Sequence, residues 1–254
     1  MKHLKSTSLL TRFGAIMAIA MLASFAAPAA NAALALYWNF NDSGVANGQP
    51  PSALALQSDL TAVPPPTQTS TISLAGFNNG TGVTMAAGTS TENLAPGDAT
   101  GAGQSLSFSA AVANNGKFFD FTLNGSTLQN LILTEAVRST STGFGGITLS
   151  YSINGGAFTP FGTDSITRDG SFHTLTFDLS AISALDGQTS ITIRQTFNTV
   201  TGSTGGNTNI DNIQLTGDAF APIPEPATVL GGALAVAALG FHQRRRLLGK
   251  LKFA

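Results

Sequence analysis

The stretch ITLSYSINGGAFTPF, residues 147–161, decides the class of fold. Ile147, Leu149, Tyr151 and Ile153 recur at every second position, the period of a strand with one buried face. Asn154-Gly155-Gly156 then breaks the alternation, and these residue types accept the positive φ that a tight reversal demands. The chain resumes with Ala157-Phe158-Thr159-Pro160-Phe161, so the stretch reads as a β-hairpin. Working outward, comparable runs occupy residues 34–40, 105–112, 117–123, 128–137, 172–179, 190–197 and 209–215, separated by Gly, Asn, Ser and Thr. No helical pattern of similar length competes with them. Many strands at short intervals specify an all-β chain, and a β-sandwich over residues 33–221 is the expected architecture. Pro50-Pro51 and Pro64-Pro65-Pro66 disfavour central strands and mark loops. The Gly-, Ala- and Thr-rich segment 80–103 is expected to be a long exposed excursion.

The ends of the chain differ from this body. Lys2, Lys5 and Arg12 precede an apolar run at residues 13–25, and Ala30-Asn31-Ala32 supplies a small-x-small cleavage site. Those features in that order define a secretory signal peptide over residues 1–32, handled by the Sec export machinery, with the mature chain starting at Ala33. The far end holds Pro224-Glu225-Pro226, an apolar run over residues 227–241, and a basic tail over residues 242–254 that includes Arg244-Arg245-Arg246. As a helix the apolar run rises about 22 Å, short of a hydrocarbon core of roughly 30 Å. The arginines behind it belong on the cytoplasmic side, so the run reads as a provisional anchor in the inner membrane. Two prolines keep Glu225 in extended backbone, the form a protease cleft can grip.

Charge separates body from tail. Residues 33–226 carry Lys117, Arg138, Arg168 and Arg194 against all 13 acidic residues, a net charge of −9 hidden within the whole-chain value of −1. Such a body has no use for nucleic acid, whose phosphates require clustered Lys and Arg. The absence of cysteine removes disulfides, thiolate zinc sites and cysteine nucleophiles. Neither a Gly-x-Ser-x-Gly elbow nor a P-loop is present.

The order Pro-Glu-Pro, short apolar helix, arginine cluster resembles the tripartite sorting signal of PEP-CTERM proteins, and the resemblance covers residues 222–254. It implies that Pro224, Glu225 and Pro226 are the processing motif, Arg244, Arg245 and Arg246 the basic stop, and an exosortase, a membrane transpeptidase-like enzyme, the processing partner. The chain would then be membrane-anchored until processed, and afterwards reside at the cell surface or in the extracellular matrix. A second resemblance is narrower. Asn209-Ile210-Asp211-Asn212-Ile213-Gln214-Leu215-Thr216-Gly217 is similar to the last strand of jelly-roll carbohydrate-binding and lectin-like modules, which implies a jelly-roll-like β-sandwich and a sugar ligand.

Candidate site residues follow from strand parity. Trp38 alternates in phase with Leu34, Leu36 and Phe40 and is expected in the core, as are the phenylalanines of the body. Tyr37 lies on the opposite face and is the candidate ligand-contacting aromatic, since a tyrosine offers apolar area with a polar edge. Asp211 shares parity with Ile213 and Leu215, so its carboxylate is expected at the core edge, where an unpaired charge is costly. A structural Ca²⁺ held with backbone carbonyls and Asn41 or Asp42 is one partner for it; Arg194 or turn amides are the others. His173, the one histidine of the body, shares parity with Leu175, Phe177 and Leu179 and is expected to be half-buried rather than a general base. No catalytic residue is assigned.

Three function classes follow in order. The first is a non-catalytic surface or matrix protein placed among extracellular polysaccharides by its C-terminal signal. The second is a glycan-binding module displayed at the surface, and the third a secreted carbohydrate hydrolase. Replacing Pro224, Glu225 and Pro226 together with Ala is expected to leave export intact and block trimming of the tail. Mass spectrometry that finds a normally trimmed C-terminus in the triple variant removes the sorting assignment.

Overall fold

The reversal read from Asn154-Gly155-Gly156 forms as expected. Asn154 and Gly155 take φ of 51° and 73°, and the Gly156 N–H donates to the Ile153 carbonyl at 2.9 Å. The structure is a computed structural model that describes residues 33–41, 45–51, 55–57, 70–77, 82–98, 103–200, 205–219, 237 and 239–241. The signal peptide with Ala30 and Ala32, Asp42, Pro64-Pro65-Pro66, the motif Pro224-Glu225-Pro226 and Arg244-Arg245-Arg246 all lie outside those residues. Within the C-terminal apolar run Ala237 and Leu239, Gly240 and Phe241 are helical. No helix among the described residues is long and apolar enough to cross a membrane.

Twelve strands are described: β1 (Ala33–Trp38), β2 (Ala55–Gln57), β3 (Thr71–Ser73), β4 (Val83–Ala87), β5 (Gln104–Ser109), β6 (Phe118–Leu123), β7 (Leu128–Ser139), β8 (Gly146–Ile153), β9 (Thr159–Ser165), β10 (Phe172–Asp178), β11 (Ile191–Asn198) and β12 (Asn207–Ala219). They form two antiparallel sheets. The first runs β10-β7-β12-β5-β4, with β1 also on β12, and the second runs β2-β3-β6-β11-β8-β9. The chain passes repeatedly from one sheet to the other, and their inner faces share one apolar cluster, which makes the body a β-sandwich of the expected class.

Strand β12 is the longest and organises the first sheet. β7 runs along one edge of it, from Thr208 to Ala219. Along the other edge Asn207–Ile210 pair with β5 and Ile213–Gly217 pair with β1. The register of β12 on β7 slips between Asp211 and Gln214, so Asn212 and Ile213 together face Glu135 alone. This bulge falls where β5 hands over to β1, and Asn212 sits at φ 46° within it, a conformation Asn tolerates better than most residues.

Phenylalanines fill the space between the sheets. Phe197 on β11 lies 4.7 Å from Phe144, 4.8 Å from Phe108, 5.7 Å from Phe119 and 5.8 Å from Phe77 between ring centroids. Trp38 is buried and packs on Phe121 at 5.7 Å, in agreement with its phase along β1. Gly76 lets the short 3₁₀ turn Ala75–Phe77 press on β6, because a Cβ there would collide with the Phe118 carbonyl.

Two expectations need correction. The described part of segment 80–103 is not an exposed excursion: it contributes β4, and residues 88–98 fold over the outer face of the first sheet. His173 lies near the start of the edge strand β10, exposed, with Nε2 2.8 Å from Asp169 Oδ2. Its strand phase with Leu175 and Phe177 holds, but no second layer covers that end of the edge strand.

Phe197→Ala is expected to destabilise the body by about 3–5 kcal/mol, the cost of emptying an aromatic site in a packed core. Urea unfolding of the full chain measures it, with a change below about 1 kcal/mol showing that the aromatic cluster is not the centre of the core.

Candidate functional site

Alternation on β6 and β11 sends opposite chemistries to the two faces of the second sheet. Phe119, Phe121 and Leu123, and Ile191, Ile193 and Phe197, point into the core. Phe118, Asp120 and Thr122, and Thr192, Arg194 and Thr196, are left on the outer face, half-buried. The pairing register sets Arg194 directly beside Asp120 on one side and Ser150 on the other. Arg194 donates from Nε to Asp120 Oδ1 and from Nη2 to Oδ2, both at 2.8 Å, a bidentate pair. Its guanidinium is also held between two rings, 3.5 Å from the centroid of Phe118 and 3.9 Å from that of Phe158.

Around this clamp the face is hydroxylic. Thr122 and Thr192 approach at 3.2 Å and Thr148 and Thr163 at 2.9 Å, and Asn198 donates to Thr148 at 2.8 Å. Phe158, from the hairpin read first in the sequence, keeps 36% exposure beside the clamp, and Phe161 of the same hairpin is 37% exposed. The arrangement offers a fixed planar cation, a carboxylate, a row of hydroxyls and exposed ring faces on one surface. Strand alternation turns these residues outward; that Arg194 and Asp120, 74 positions apart, share a register depends on how the strands pair. Arg194 was weighed as a partner for Asp211, and it is committed here to Asp120 instead.

The outer face of the first sheet carries the other candidates, and over β1 and β12 it is covered by residues 88–98. Tyr37, expected to be exposed, is completely buried beneath residues 88–98. Its hydroxyl lies 2.7 Å from Asp98 Oδ2 and 2.8 Å from Asn212 Oδ1. Burial, and then the bond to Asp98, push its phenol well above the usual range. Tyr37 therefore ties the segment down and offers no surface to a ligand.

Asp211 is also buried, but the bulge at Asn212 breaks its parity with Ile213 and Leu215, so it stands on the side of Tyr37 and away from the core. Its Oδ2 accepts the Thr89 N–H at 2.7 Å and its Oδ1 accepts the Asn212 N–H at 2.8 Å. Asn212 in turn donates to the Thr89 and Glu92 carbonyls, Asn93 donates to the Asn212 carbonyl, and Gln214 donates to the Asn93 carbonyl. Each oxygen of Asp211 therefore already accepts a backbone N–H, the turn-amide partnership weighed for it, while Asp42, named with it for calcium, lies outside the described residues. Asn41 is engaged elsewhere, accepting the Gln104 N–H at 2.9 Å. Among the described residues no group of three or more His, Cys, Asp or Glu is placed to hold a metal ion.

No protein-family model matches the chain, and no curated protein matches it. Among solved structures it is similar to the K2 cleaved adhesin domain of Lys-gingipain, with 13% identity, 70% of this chain and 97% of that one covered, and a TM-score of 0.41. It is similar to the carbohydrate-binding module CBM6cm-2 of Cellvibrio mixtus lichenase 5A, solved with cellotriose, at 15% identity, 72% and 97% coverage and a TM-score of 0.35. TmCBM61, solved with β-1,4-galactotriose, matches at 14% identity, 54% and 83% coverage and a TM-score of 0.34. All three values lie below 0.5, and no residue role is carried over from these proteins.

Asp211→Asn is expected to cost about 1–3 kcal/mol by weakening a buried carboxylate bound to backbone amides. Thermal unfolding should show the same loss with and without EDTA; a loss that EDTA abolishes would restore the calcium reading.

Proposed function

We propose that the chain is an exported, non-catalytic protein of the cell surface or extracellular matrix, whose sandwich binds polysaccharide through the outer face of its second sheet. The observation that carries this reading is Arg194, fixed in one orientation by Asp120 and held between Phe118 and Phe158. A sugar presents C–H faces that settle on aromatic rings and hydroxyls that both donate and accept. The free edge of a guanidinium, a carboxylate and neighbouring Ser and Thr hydroxyls meet those needs together. Because Arg194 is already immobilised, little side-chain entropy is lost on binding. The net charge of −9 on residues 33–226 repels polyanions, so the ligand is a neutral polysaccharide.

Delivery to such a ligand rests on the sequence at the two ends: the signal peptide over residues 1–32 for export, and the tail with Pro224-Glu225-Pro226 for exosortase-dependent sorting. A hydrolytic reading has less support. Asp120 is committed to Arg194, and Glu135 is sealed from solvent, so neither is presented to a bound sugar as an acid.

Arg194→Ala is expected to weaken binding of a neutral oligosaccharide at least about tenfold, the effect of losing a charge-assisted hydrogen bond worth about 1.5–3 kcal/mol. Phe158→Ala should weaken it as well. A glycan array identifies the oligosaccharide and titration calorimetry measures both variants; affinities unchanged in both, or a wild-type chain that binds no glycan, would sink the proposal.

A further inference from the structure

Glu135 occupies a position that strand alternation reserves for an apolar side chain. On β7 it shares a face with Leu131, Leu133 and Val137, all in the core cluster, and it is 0% exposed. On β10 it stands opposite Leu175, and on β12 it meets the two bulge residues Asn212 and Ile213. Across the sandwich it meets Gln195 of β11, likewise 0% exposed and flanked on its own face by Ile193 and Phe197. The Gln195 amide donates from Nε2 to Glu135 Oε2 at 2.8 Å. The second oxygens of both side chains, Glu135 Oε1 and Gln195 Oε1, have no hydrogen-bond partner among the described residues.

Two buried acceptors without partners, one on each side chain of a hydrogen-bonded pair, point to what would join them, a proton between them. We propose that Glu135 is built into the sandwich as a neutral carboxylic acid, its Oε1–H donating to Gln195 Oε1 while Gln195 Nε2–H donates to its Oε2, and that loss of this proton to water loosens the two sheets in alkaline surroundings. The pair closes a reciprocal ring in which all four polar atoms are satisfied. As a carboxylate, Glu135 is left with one amide donor and a buried charge.

Among the described residues no charged group faces Glu135 to hold it ionised. On β10, His173 is exposed beside Asp169 and Asp178 is exposed. On β12, Asp211 is turned to the outer face and Asp218 accepts from Asn130. On β11, Arg194 lies on the outer face of the second sheet with Asp120, and on β7 itself Arg138 is on the opposite face from Glu135, an odd number of residues away. Burial alone pushes the Glu135 carboxyl up to about 8 from 4.5, against the opposing bond from Gln195. A carboxyl raised on folding stabilises fully below pH 4.5. That contribution falls as pH rises and is gone above pH 8, at about tenfold in the folded-to-unfolded ratio for each pH unit between.

Urea unfolding of the full chain tests this, followed by the fluorescence of Trp38, the single tryptophan. Glu135→Gln keeps the ring as an amide pair without a titrating proton. Its folded-to-unfolded ratio should gain on the wild type by about tenfold per pH unit from pH 5 to pH 8 and hold steady above. Parallel pH profiles for the two proteins overturn the proposal. Should the variant fail to fold, infrared spectra of the wild type at pH 6.5 decide: the carbonyl stretch of a protonated carboxylic acid, protected from rapid exchange, is expected, and its absence rejects the neutral acid.

Discussion

The bulge at Asn212 is the constraint on which the rest of the first sheet depends. It lies midway along β12, the strand that holds β7 on one edge and both β5 and β1 on the other. An extra residue there exchanges the faces of everything on one side of it. Ile213 and Leu215 consequently join Ile210 in the core, while Asp211 and Asn212 present their side chains to residues 88–98. Without the bulge, either Asp211 would be driven between the sheets or Ile213 and Leu215 would be turned outward. The polar residues at this point therefore belong to the packing of the sandwich, because they convert a loop of modest hydrophobicity into a lid hydrogen-bonded onto the sheet.

That arrangement explains which parts of the molecule were legible in the sequence. The hairpin at residues 147–161 was, since Asn154 and Gly155 declare their backbone conformation locally. The core role of Trp38 was, since alternation with Leu36 and Phe40 survives the fold. Tyr37 was misread because its cover comes from Ala95 and Asp98, some sixty residues away, in a stretch whose composition resembles exposed loops. Asp211 was misread because parity assumes an unbroken ladder, and the only local signal of the break is an Asn that tolerates positive φ. Strand β4 was missed for a related reason: Val83, Met85 and their neighbours are embedded in Gly, Ala and Thr and gain their partners from β5. The outward placement of Arg194 and Asp120 could be read from alternation, but their pairing awaited the register.

The two outer faces of the sandwich end up with opposite uses of polarity. On the first sheet, the polar side chains of β1 and β12 are taken up by one another and by the backbone of residues 88–98, while Thr174 and Thr176 of β10 stay exposed. On the second, polar side chains fix a guanidinium and two rings in place while leaving ring faces and hydroxyls accessible. Between them, among the described residues, the apolar inner faces carry Glu135 and Gln195 in their midst and the hydrogen-bonded Ser139 and Thr208 nearer one end. A polar pair at that depth contributes little to stability compared with a well-packed apolar pair, so its cost must be offset by the surrounding aromatic packing.

The central place of β12 also has a mechanical meaning. Its last residues pair with Leu128 and Gln129 of β7 on one side and with Ala33 on the other. A pull applied at Ala219 along the strand therefore enters the body through a strand held on both edges. Hydrogen bonds between antiparallel strands lie across the strand direction, so tension along β12 loads its ladders together in shear, and many bonds must yield at once. A pull that separated Ala33 from Gly217 sideways would meet the same ladder one bond at a time. The sandwich is thus built to resist force transmitted through its C-terminal strand far better than force that peels its first strand away.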